Sequence, residues 1–462
     1  MNKFSWIASV CLLSACSVGP DYERPDFYQD KDIANSLNMA EKSSLAVRPD
    51  WHEDFKDPVL NRLVHLSLTR NLDIKSAVQK LRAARENLYI AKVAYLPSLS
   101  VQGSHTKTKP SQNNPLSFRE DYYTMGLDAS WEIDIWGAGR RRTEQARALY
   151  EAYAADVENV LVSVKAETVS LYFSLRSVQE RINVIRQSIT LQEAIFELTS
   201  TLYDSGLTSA ADLNQAQFAL ENLKASLPDL QNAQREYSNA LTLLTGRLPD
   251  SLNSLLKADK DNSFHKEFMF DFDLLYKLPV NTIRSRPDVR SAERMLAAQN
   301  AVVGQAVASL YPNVSVSALL GLQSVSFRKL FFDNSQTYSV VPSVSAPLFR
   351  WGALIANIRA QKAIKEQSVL NYQNALLAAI TDVKNNVNAL KANQEKMNYI
   401  GQGLQNIQSV VYLNFVRYQS GLIELNTLLN QTQSLLQTQN DFIAAKQAVY
   451  LNIVGFYKSL GV

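Results

Sequence analysis

Two hydrophobic patterns occur along this chain, and each occurs twice. From Tyr123 to Ile135 every second residue is apolar or small (Tyr123, Met125, Leu127, Ala129, Trp131, Ile133, Ile135), and the residues between are mostly polar. The same period of two runs through Tyr338, Val340, Val344, Ala346 and Leu348, set against Ser339, Ser343 and Ser345. Alternation of this kind predicts strands with one apolar face. Leu99, Val101 and Gly103 open one hairpin, and Val314, Val316 and Ala318 the other. The second pattern steps by three and four. It runs through Leu161, Val164, Thr168, Leu171, Leu175, Val178, Ile182, Ile185 and Ile189, then through Leu376, Ile380, Val383, Val387, Leu390, Gln394, Met397, Gly401 and Leu404. Such a seam predicts long helices, each with a coiled-coil neighbour. Ala138 to Leu202 is 65 residues, roughly 98 Å at 1.5 Å per residue.

A single constant offset, 215 (288 − 73), relates the two occurrences. Asp73, Ser76, Ala77 and Leu81 fall on Asp288, Ser291, Ala292 and Leu296, and Pro97, Ser100 and Val101 on Pro312, Ser315 and Val316. Trp136-Gly137-Ala138 falls on Trp351-Gly352-Ala353, Ser205-Gly206-Leu207 on Ser420-Gly421-Leu422, and Gly246 on Gly461. One offset held this long marks a duplicated unit. The first repeat is expected over 58–246, with a helix to about 94, a β-hairpin at 97–136, a long helix at 138–202 and a further helix at 208–246. The second is expected over 280–462, with a helix at about 287–309, a hairpin at 312–349, a long helix at 352–417 and a helix at 422–460. Residues 247–279 have no counterpart and form a midsection. Pro228 is expected to break or kink the helix that holds it.

Composition sharpens this picture. A length of 462 residues ordinarily suggests about two to four globular domains. Yet no proline lies between Pro115 and Pro228 or after Pro347, and no glycine between Gly139 and Gly206 or between Gly352 and Gly401. Such runs suit rods better than compact domains, since proline costs about 3 kcal/mol and glycine about 1 kcal/mol inside a helix. Lysine plus arginine (47) less aspartate plus glutamate (44) leaves +3, which gives no case for nucleic acid. Beyond the first 15 residues no apolar run is long enough for a transmembrane helix. A β-barrel, built of short alternating strands, is not excluded.

Residues 1–15 read as a signal peptide, with Lys3 before an apolar stretch from Phe4 to Leu13. Leu13-Ser14-Ala15-Cys16 resembles a bacterial lipobox, which makes Cys16 the lipid anchor; an ordinary secretory cleavage near Ala15 is the alternative. Ser17 follows in place of the aspartate that commonly retains lipoproteins at the inner membrane, which favours the outer membrane. Cys11 is lost with the signal, so no disulfide is possible. Residues 16–57 read as an extended, lipid-anchored tether. Four strands cannot close a membrane barrel, because their edges would leave backbone groups unpaired in lipid. Membrane strands therefore require an oligomer, whose number the pattern does not choose. Periodicity alone equally allows a half-buried soluble hairpin.

Several short stretches, taken together, resemble the TolC-like outer-membrane efflux proteins, lipoprotein branch. They are Gly19-Pro20-Asp21-Tyr22 after the lipobox, Trp51 with Phe55-Lys56-Asp57-Pro58-Val59-Leu60, Ala94-Tyr95-Leu96-Pro97, and Trp131-Glu132-Ile133-Asp134-Ile135-Trp136-Gly137. Arg286-Pro287-Asp288-Val289 and Tyr203-Asp204-Ser205-Gly206-Leu207 complete the set, which covers essentially the whole chain. The resemblance implies a mainly α chain with a small β part. It also implies a homotrimer whose strands, four per chain, form one 12-stranded transmembrane β-barrel continued by a long periplasmic α-helical barrel of coiled-coil helices. Residues 247–279 then become an equatorial midsection. The implied function is a passive efflux channel for drugs or other small toxic compounds. Its partners are outer-membrane lipid, a periplasmic adaptor (membrane fusion) protein and an inner-membrane transporter. An exit duct for type I protein secretion uses the same architecture, and a soluble periplasmic coiled-coil scaffold is the alternative of another class.

Under this resemblance the adaptor docks on the hairpin tips, Tyr203, Ser205, Gly206 and Leu207 in one copy and Ser420, Gly421 and Leu422 in the other. A tight turn between helices requires the two glycines in any case. The periplasmic gate maps to Asp212, Tyr418, Ile423, Thr427 and Asn430. Tyr418 matches a gate tyrosine. Thr427 and Asn430 stand where relatives commonly carry aspartates, and Ile423 where an arginine can occur. Ser209-Ala210-Ala211-Asp212 also reads as a capping box. Gly137-Ala138-Gly139 lacks the third glycine of a nucleotide fingerprint, since Arg142 stands there. Arg140-Arg141-Arg142 reads as an interfacial or solvated run. The segments 107–121 and 324–336 are expected as external loops, the second apolar through Phe327, Phe331 and Phe332. Four histidines without metal-ligand spacing, no nucleophile elbow and no singled-out carboxylate pair leave no catalytic residue, metal site or cofactor to name.

Overall fold

A computed structural model describes residues 17–37, 39–40, 48–109, 111, 113, 120–257, 264 and 278–462. Cys16, the signal peptide, most of the 110–119 loop and most of 258–277 lie outside the described residues. In chain order the helices are α1 (Asp30–Leu37), α2 (Pro58–Arg70), α3 (Leu72–Val93), α4 (Ala138–Asp204), α5 (Ala210–Leu244), α6 (Asn281–Arg284), α7 (Pro287–Ala308), α8 (Ala353–Gln419) and α9 (Leu425–Ser459). The strands are β1 (Ser98–Thr108), β2 (Glu120–Ile133), β3 (Asn313–Ser324) and β4 (Gln336–Ser345). The bounds of α8 and α9 differ from those of α4 and α5 by the same offset of 215 at every end (353 − 138, 419 − 204, 425 − 210, 459 − 244). The chain divides into two compact units, and each draws on both repeats.

The first unit comprises residues up to Asp26, Lys80–Ala154 and Ser291–Gln373. It holds one antiparallel sheet in the order β1-β2-β3-β4, so the inner strands of the two repeats pair with each other. Its pairing rows separate two chemistries. One face carries Leu99-Ala129-Ala318-Val340, Val101-Leu127-Leu320-Tyr338, Trp131-Val316-Pro342 and Ile133-Val314-Val344. The other carries Ser98-Ser130-Ser317-Val341, Ser100-Asp128-Leu319-Ser339 and Glu132-Ser315-Ser343. Leu99, Val101, Leu127, Leu320, Tyr338, Val340 and Val344 are all exposed, so among the described residues nothing covers this part of the apolar face. Tyr123 to Ile133 on that face spans roughly 33 Å at about 3.3 Å per residue. Tilted by about 40°, that is roughly the 25 Å apolar band of an outer-membrane barrel.

The start of the stretch expected as an extended tether is docked on this unit. Val18 donates its N–H to the Trp136 carbonyl (3.0 Å). Arg141, only 2% exposed, donates to the carbonyls of Val18 (3.3 Å) and Gly19 (3.2 Å) and pairs with Asp21 and Glu144, both at 2.8 Å. A Cβ on Gly19 would lie 2.6 Å from Gly304 Cα, so two glycines allow the segment to touch α7. Tyr22 donates to Glu293 at 2.5 Å, and Asn300 reaches the Pro20 carbonyl at 3.0 Å. The solvated reading of the arginine run therefore fails at Arg141. An extended segment has no backbone partners of its own, and this guanidinium supplies donors for two of its carbonyls.

In the second unit (Phe27–Gln79, Ala155–Arg290, Asn374–Val462) aromatic rings form the centre. Trp51 stacks on Tyr457 at 4.8 Å, Phe173 on Tyr450 at 4.3 Å, and Phe55 meets Phe173 edge-on at 4.9 Å. The Trp51 indole also donates to the Val462 carbonyl (3.2 Å). These rings explain why α4 is buried on more than its seam. Val162, Ala166, Val169, Tyr172, Phe173 and Val184 are buried with Val164, Leu175, Ile182 and Ile185, because residues 49–57 and 252–257 also lie on the helix. From Tyr372 to Leu390, α8 buries a single stripe, Tyr372, Leu376, Ala379, Val383, Val387 and Leu390, which follows the expected seam except that Ala379 is buried in place of Ile380.

One local expectation fails, and the break expected as one outcome at Pro228 does not occur. The first helix is broken at Asn71, whose extended backbone ends α2 while its Oδ1 accepts from the amides of Asp73 (2.8 Å) and Ile74 (3.1 Å) to start α3. Helix α5 runs unbroken through Pro228; the ring removes one donor, and the Ser226 hydroxyl donates to the Leu223 carbonyl at 2.7 Å. Asn71 also reaches the Leu244 carbonyl at the end of α5 (3.1 Å). Its counterpart in the second repeat, Arg286, reaches Ser459 at the end of α9 (2.8 Å). The second lock adds ion pairs to Asp288 (2.7 Å) and Asp382 (3.5 Å). Arg286→Ala should therefore cost more than Asn71→Ala, about 3 kcal/mol or above, because the buried Ala379 and Ser459 carbonyls both lose a charged donor. Asn71→Ala should cost about 1–3 kcal/mol. Denaturant unfolding of the detergent-purified protein measures both, and equal losses would contradict the assignment.

Candidate functional site

The two helix-to-helix turns are built alike. Leu207 N–H reaches the Leu202 carbonyl (2.8 Å) and Leu422 N–H the Arg417 carbonyl (2.9 Å), closing a Schellman-type turn at each helix end. Gly206 and Gly421 both have φ +71°, and a Cβ at either would meet nothing within 4 Å. The glycine is thus required by backbone conformation and not by packing. The turns leave Leu207 (74%) and Leu422 (71%) exposed, with Tyr203 partly so. Ser205 and Ser420 turn their hydroxyls back onto the Thr201 and Val416 carbonyls (2.8 and 3.0 Å).

Next to the turns, all four long helices share one apolar cluster of Ile195, Ala216, Tyr418, Leu425 and Leu428, with Ile423 packed against it. Tyr418 is buried, and its hydroxyl pairs with Thr199 at 3.0 Å. Gln215 donates to Asn426 at 2.5 Å. Thr427 and Asn430 are exposed. Asn430 borders a cavity of about 570 Å³ between α4, α5 and α9, together with Gln192, Phe218 and Leu436. The structure thus brings Tyr418 and Ile423 together in the cluster and leaves Thr427 and Asn430 outside it.

Asp212 completes the expected capping box. Its N–H donates to Ser209 Oγ (3.2 Å) while its carboxylate accepts from the Ser209 amide (3.2 Å), the Ser209 hydroxyl (2.8 Å) and the Thr208 hydroxyl (2.7 Å). Those hydrogen bonds, first from Thr208 and then from Ser209, hold the carboxyl below its ordinary value of 3.8. The equivalent helix α9 has Glu424 at the N-cap position, with no side-chain hydrogen bond capping it. Since 209 + 215 is 424 and 212 + 215 is 427, Thr427 stands where the second copy would need its capping aspartate.

At the start of α4, Asp134 accepts from the amides of Gly139 (3.0 Å) and Arg140 (2.9 Å), so a carboxylate of the chain already holds the donors a phosphate would use. On the polar face of the sheet the charged strand residues are Glu120, Asp128 and Glu132, all acidic. Glu293, which pattern did not single out, lies between Tyr22 and Arg294. Burial would raise its carboxyl, yet hydrogen bonds from Arg294 and Tyr22, helped by the charges of Arg294 and Arg24, hold it low. Glu144, three residues beyond Arg141, was the visible sign of the clamp; its remaining partners lie about 120 positions away. Among the described residues no cluster could hold a metal ion, and no helix is long and apolar enough to cross a membrane.

The chain belongs to the outer membrane efflux protein family, whose model matches residues 63–247 and 278–462. Both bounds of the second match follow those of the first by the same offset of 215 (278 − 63, 462 − 247), so the duplication is a property of the family match itself. The chain is 26% identical over 469 positions to a toluene efflux pump outer membrane protein, TtgC, of Pseudomonas putida, covering 100% of this chain and 95% of that one. It is also 26% identical over 438 positions to nodulation protein T of Rhizobium leguminosarum bv. trifolii, with 94% and 92% covered. Among solved structures it resembles the outer-membrane channel OprN, with TM-score 0.87, 30% identity and coverage of 96% and 99%. It also resembles the Campylobacter jejuni CmeC outer membrane channel, with TM-score 0.84, 26% identity and coverage of 96% and 95%.

Gly206→Ala and Gly421→Ala should each cost about 1–2 kcal/mol, from the left-handed backbone alone. Ser209→Ala should cost about 1 kcal/mol. Because the Asp212 carboxyl is lower folded than unfolded, its contribution is fully present above pH 3.8 and fades as pH falls through the depressed value. The stability difference between wild type and Asp212→Asn should follow that course in unfolding measured from pH 7 to pH 3.

Proposed function

We propose that this chain is the outer-membrane channel of a tripartite efflux pump, a homotrimer that passively conducts drugs or other small toxic compounds from a periplasmic pump to the exterior. One observation carries the reading in a chain of this family: a four-stranded sheet with an uncovered apolar face, a polar opposite face and two open edges. Three copies supply twelve strands, enough for a closed barrel with its polar face toward the lumen. The toluene and antibiotic efflux pump names of relatives at 26% identity favour small molecules over secreted proteins as cargo. No reaction is assigned to the chain.

On this reading residues 1–15 are a removed signal, Cys16 carries lipid, and 247–279 form an equatorial midsection. The tips Tyr203, Ser205, Gly206 and Leu207, with Ser420, Gly421 and Leu422, meet a periplasmic adaptor that links the channel to an inner-membrane transporter. The exposure of Leu207 and Leu422 supports that role. The gate residues Asp212, Tyr418, Ile423, Thr427 and Asn430 close the periplasmic end by polar and steric packing more than by charge. The buried Tyr418–Thr199 contact and the uncharged Thr427 and Asn430 support this.

Purified channel in planar bilayers tests the gate. Asp212→Asn should leave conductance within about twofold of wild type, whereas Tyr418→Ala should raise it clearly. Strong closure relieved only by Asp212→Asn would overturn the packing account. Deleting the gene should sensitise cells to several toxic compounds. Unchanged susceptibility to all of them, or a mature protein soluble without detergent, would count against the channel.

A further inference from the structure

The turn between β3 and β4 combines three features. It contains Ser326-Phe327-Arg328-Lys329-Leu330-Phe331-Phe332 and is folded: Leu330 is 3% exposed, its N–H meets the Phe327 carbonyl (3.2 Å), and Ser335 Oγ donates to the Lys329 carbonyl (2.7 Å). Yet Phe327, Phe331 and Phe332 are 59–62% exposed. A turn able to bury a leucine while presenting three phenylalanines is shaped for an external apolar medium. The rings are continuous with the apolar face of the sheet. Tyr123, on the same face as Leu127 and Trp131, stacks on His105 at 4.2 Å, Phe327 meets Tyr123 edge-on at 5.6 Å, and Phe331 meets Phe327 at 6.2 Å. The third feature is charge. Arg328 and Lys329 are exposed among those rings, and among the described residues no carboxylate pairs with either. Of the acidic groups at this end, Asp121 is engaged by His105 (2.9 Å) and Lys107 (3.6 Å), while Asp333 in the same turn and Glu120 at the start of β2 form no ion pair with Arg328 or Lys329 among the described residues.

Resting on the membrane reading above, we propose that this turn is a lipid-headgroup site. Phe327, Phe331 and Phe332 enter the interface beyond the apolar band, and Arg328 and Lys329 bind the phosphates of anionic lipid. Aromatic rings with basic neighbours suit this zone, where one end of the site is apolar and the other carries phosphate. A plug for the channel mouth would have to lie over the polar face, and the ring chain lies on the other.

The test uses the full mature protein purified in neutral detergent and titrated with phosphatidylglycerol, phosphatidylcholine or inorganic phosphate, read by the thermal midpoint. Phosphatidylglycerol should stabilise the wild type at lower concentration than phosphatidylcholine, and high salt should remove the difference. Arg328→Gln and Lys329→Gln should each raise the half-maximal phosphatidylglycerol concentration about fivefold, and together about 25-fold. Phe327→Ser/Phe331→Ser/Phe332→Ser should weaken the response to both lipids. Unchanged phosphatidylglycerol binding by the double variant would overturn the proposal, as would an equal shift with inorganic phosphate. A triple variant with altered conductance would point to a plug, and one that dissociates to a contact between chains; either also overturns it. Conductance of the wild type in planar bilayers separates the readings. A conducting wild type with unchanged lipid binding in the double variant sinks only the headgroup site, and a wild type that forms no channel sinks both.

Discussion

The two open edges of the sheet constrain everything else in this chain. β1 and β4 each pair on one side only, and the face they border is apolar and uncovered. In water such a sheet would aggregate. In hydrocarbon each unpaired backbone group would cost several kcal/mol. Neither solvent accepts it alone, so it must be completed by further copies of itself, edge to edge. The duplication serves that end. Each repeat supplies one hairpin, β2 and β3 join them, and the outer strands are left to meet the neighbouring copies. The alternation that fits β2 and β3 to lipid on one face leaves hydroxyls and carboxylates on the other, which is the composition of a wet lumen.

Within that frame, equivalent positions of the two repeats do different work. The bounds of the long helices agree after a shift of 215, yet α4 is covered on several sides by residues 49–57 and 252–257 while α8 keeps a single buried seam. Asn71 and Arg286 both reach the carbonyl that ends a long helix, one neutral and one charged with two carboxylate partners. Ser209 and Asp212 cap α5 reciprocally, and Glu424 and Thr427 at the same places leave α9 without a side-chain cap. The aspartate missing from the second copy is thus a missing cap before it is anything else.

Patterns of short period were legible in the sequence because they belong to single elements. Strand alternation, the three-four seam and the turn glycines each follow from local geometry, and the offset of 215 extended one copy's reading to the other. What could not be read rests on contacts between distant segments. Arg141 sits in a run of three arginines that looks solvated until Val18–Asp21 is seen to lie across it. The all-round burial of α4 near Tyr172 needs Asp57, 115 positions earlier, whose carboxylate meets the Tyr172 hydroxyl. Pro228 reads as a break or kink because proline removes a donor and crowds the preceding turn, yet the helix of 35 residues runs through it. Asn71 went unread for the opposite reason: its amide side chain both ends one helix and starts the next, and neither event interrupts the apolar periodicity.

The same distinction between local and distant contacts divides the helix ends into two parts. At the turns themselves nothing packs around Gly206 or Gly421, and Leu207 and Leu422 face outward. Beside them, Tyr418 lies in a cluster drawn from all four long helices and is tied to Thr199. Covering the exposed leucines would gain about 25 cal/mol per Å² of apolar surface buried without disturbing that cluster, so a partner can bind the turns while the packing behind them is intact. Separating the helices, by contrast, must expose Ile195, Leu425 and Leu428 and release the Tyr418 hydroxyl. Attachment is therefore weakly coupled to the cluster, and a change in helix spacing is strongly coupled to it. On the gate proposed above, a partner that opened this end would have to act on the helix flanks as well as on the turns, because the cluster that packs the four helices together lies along the flanks.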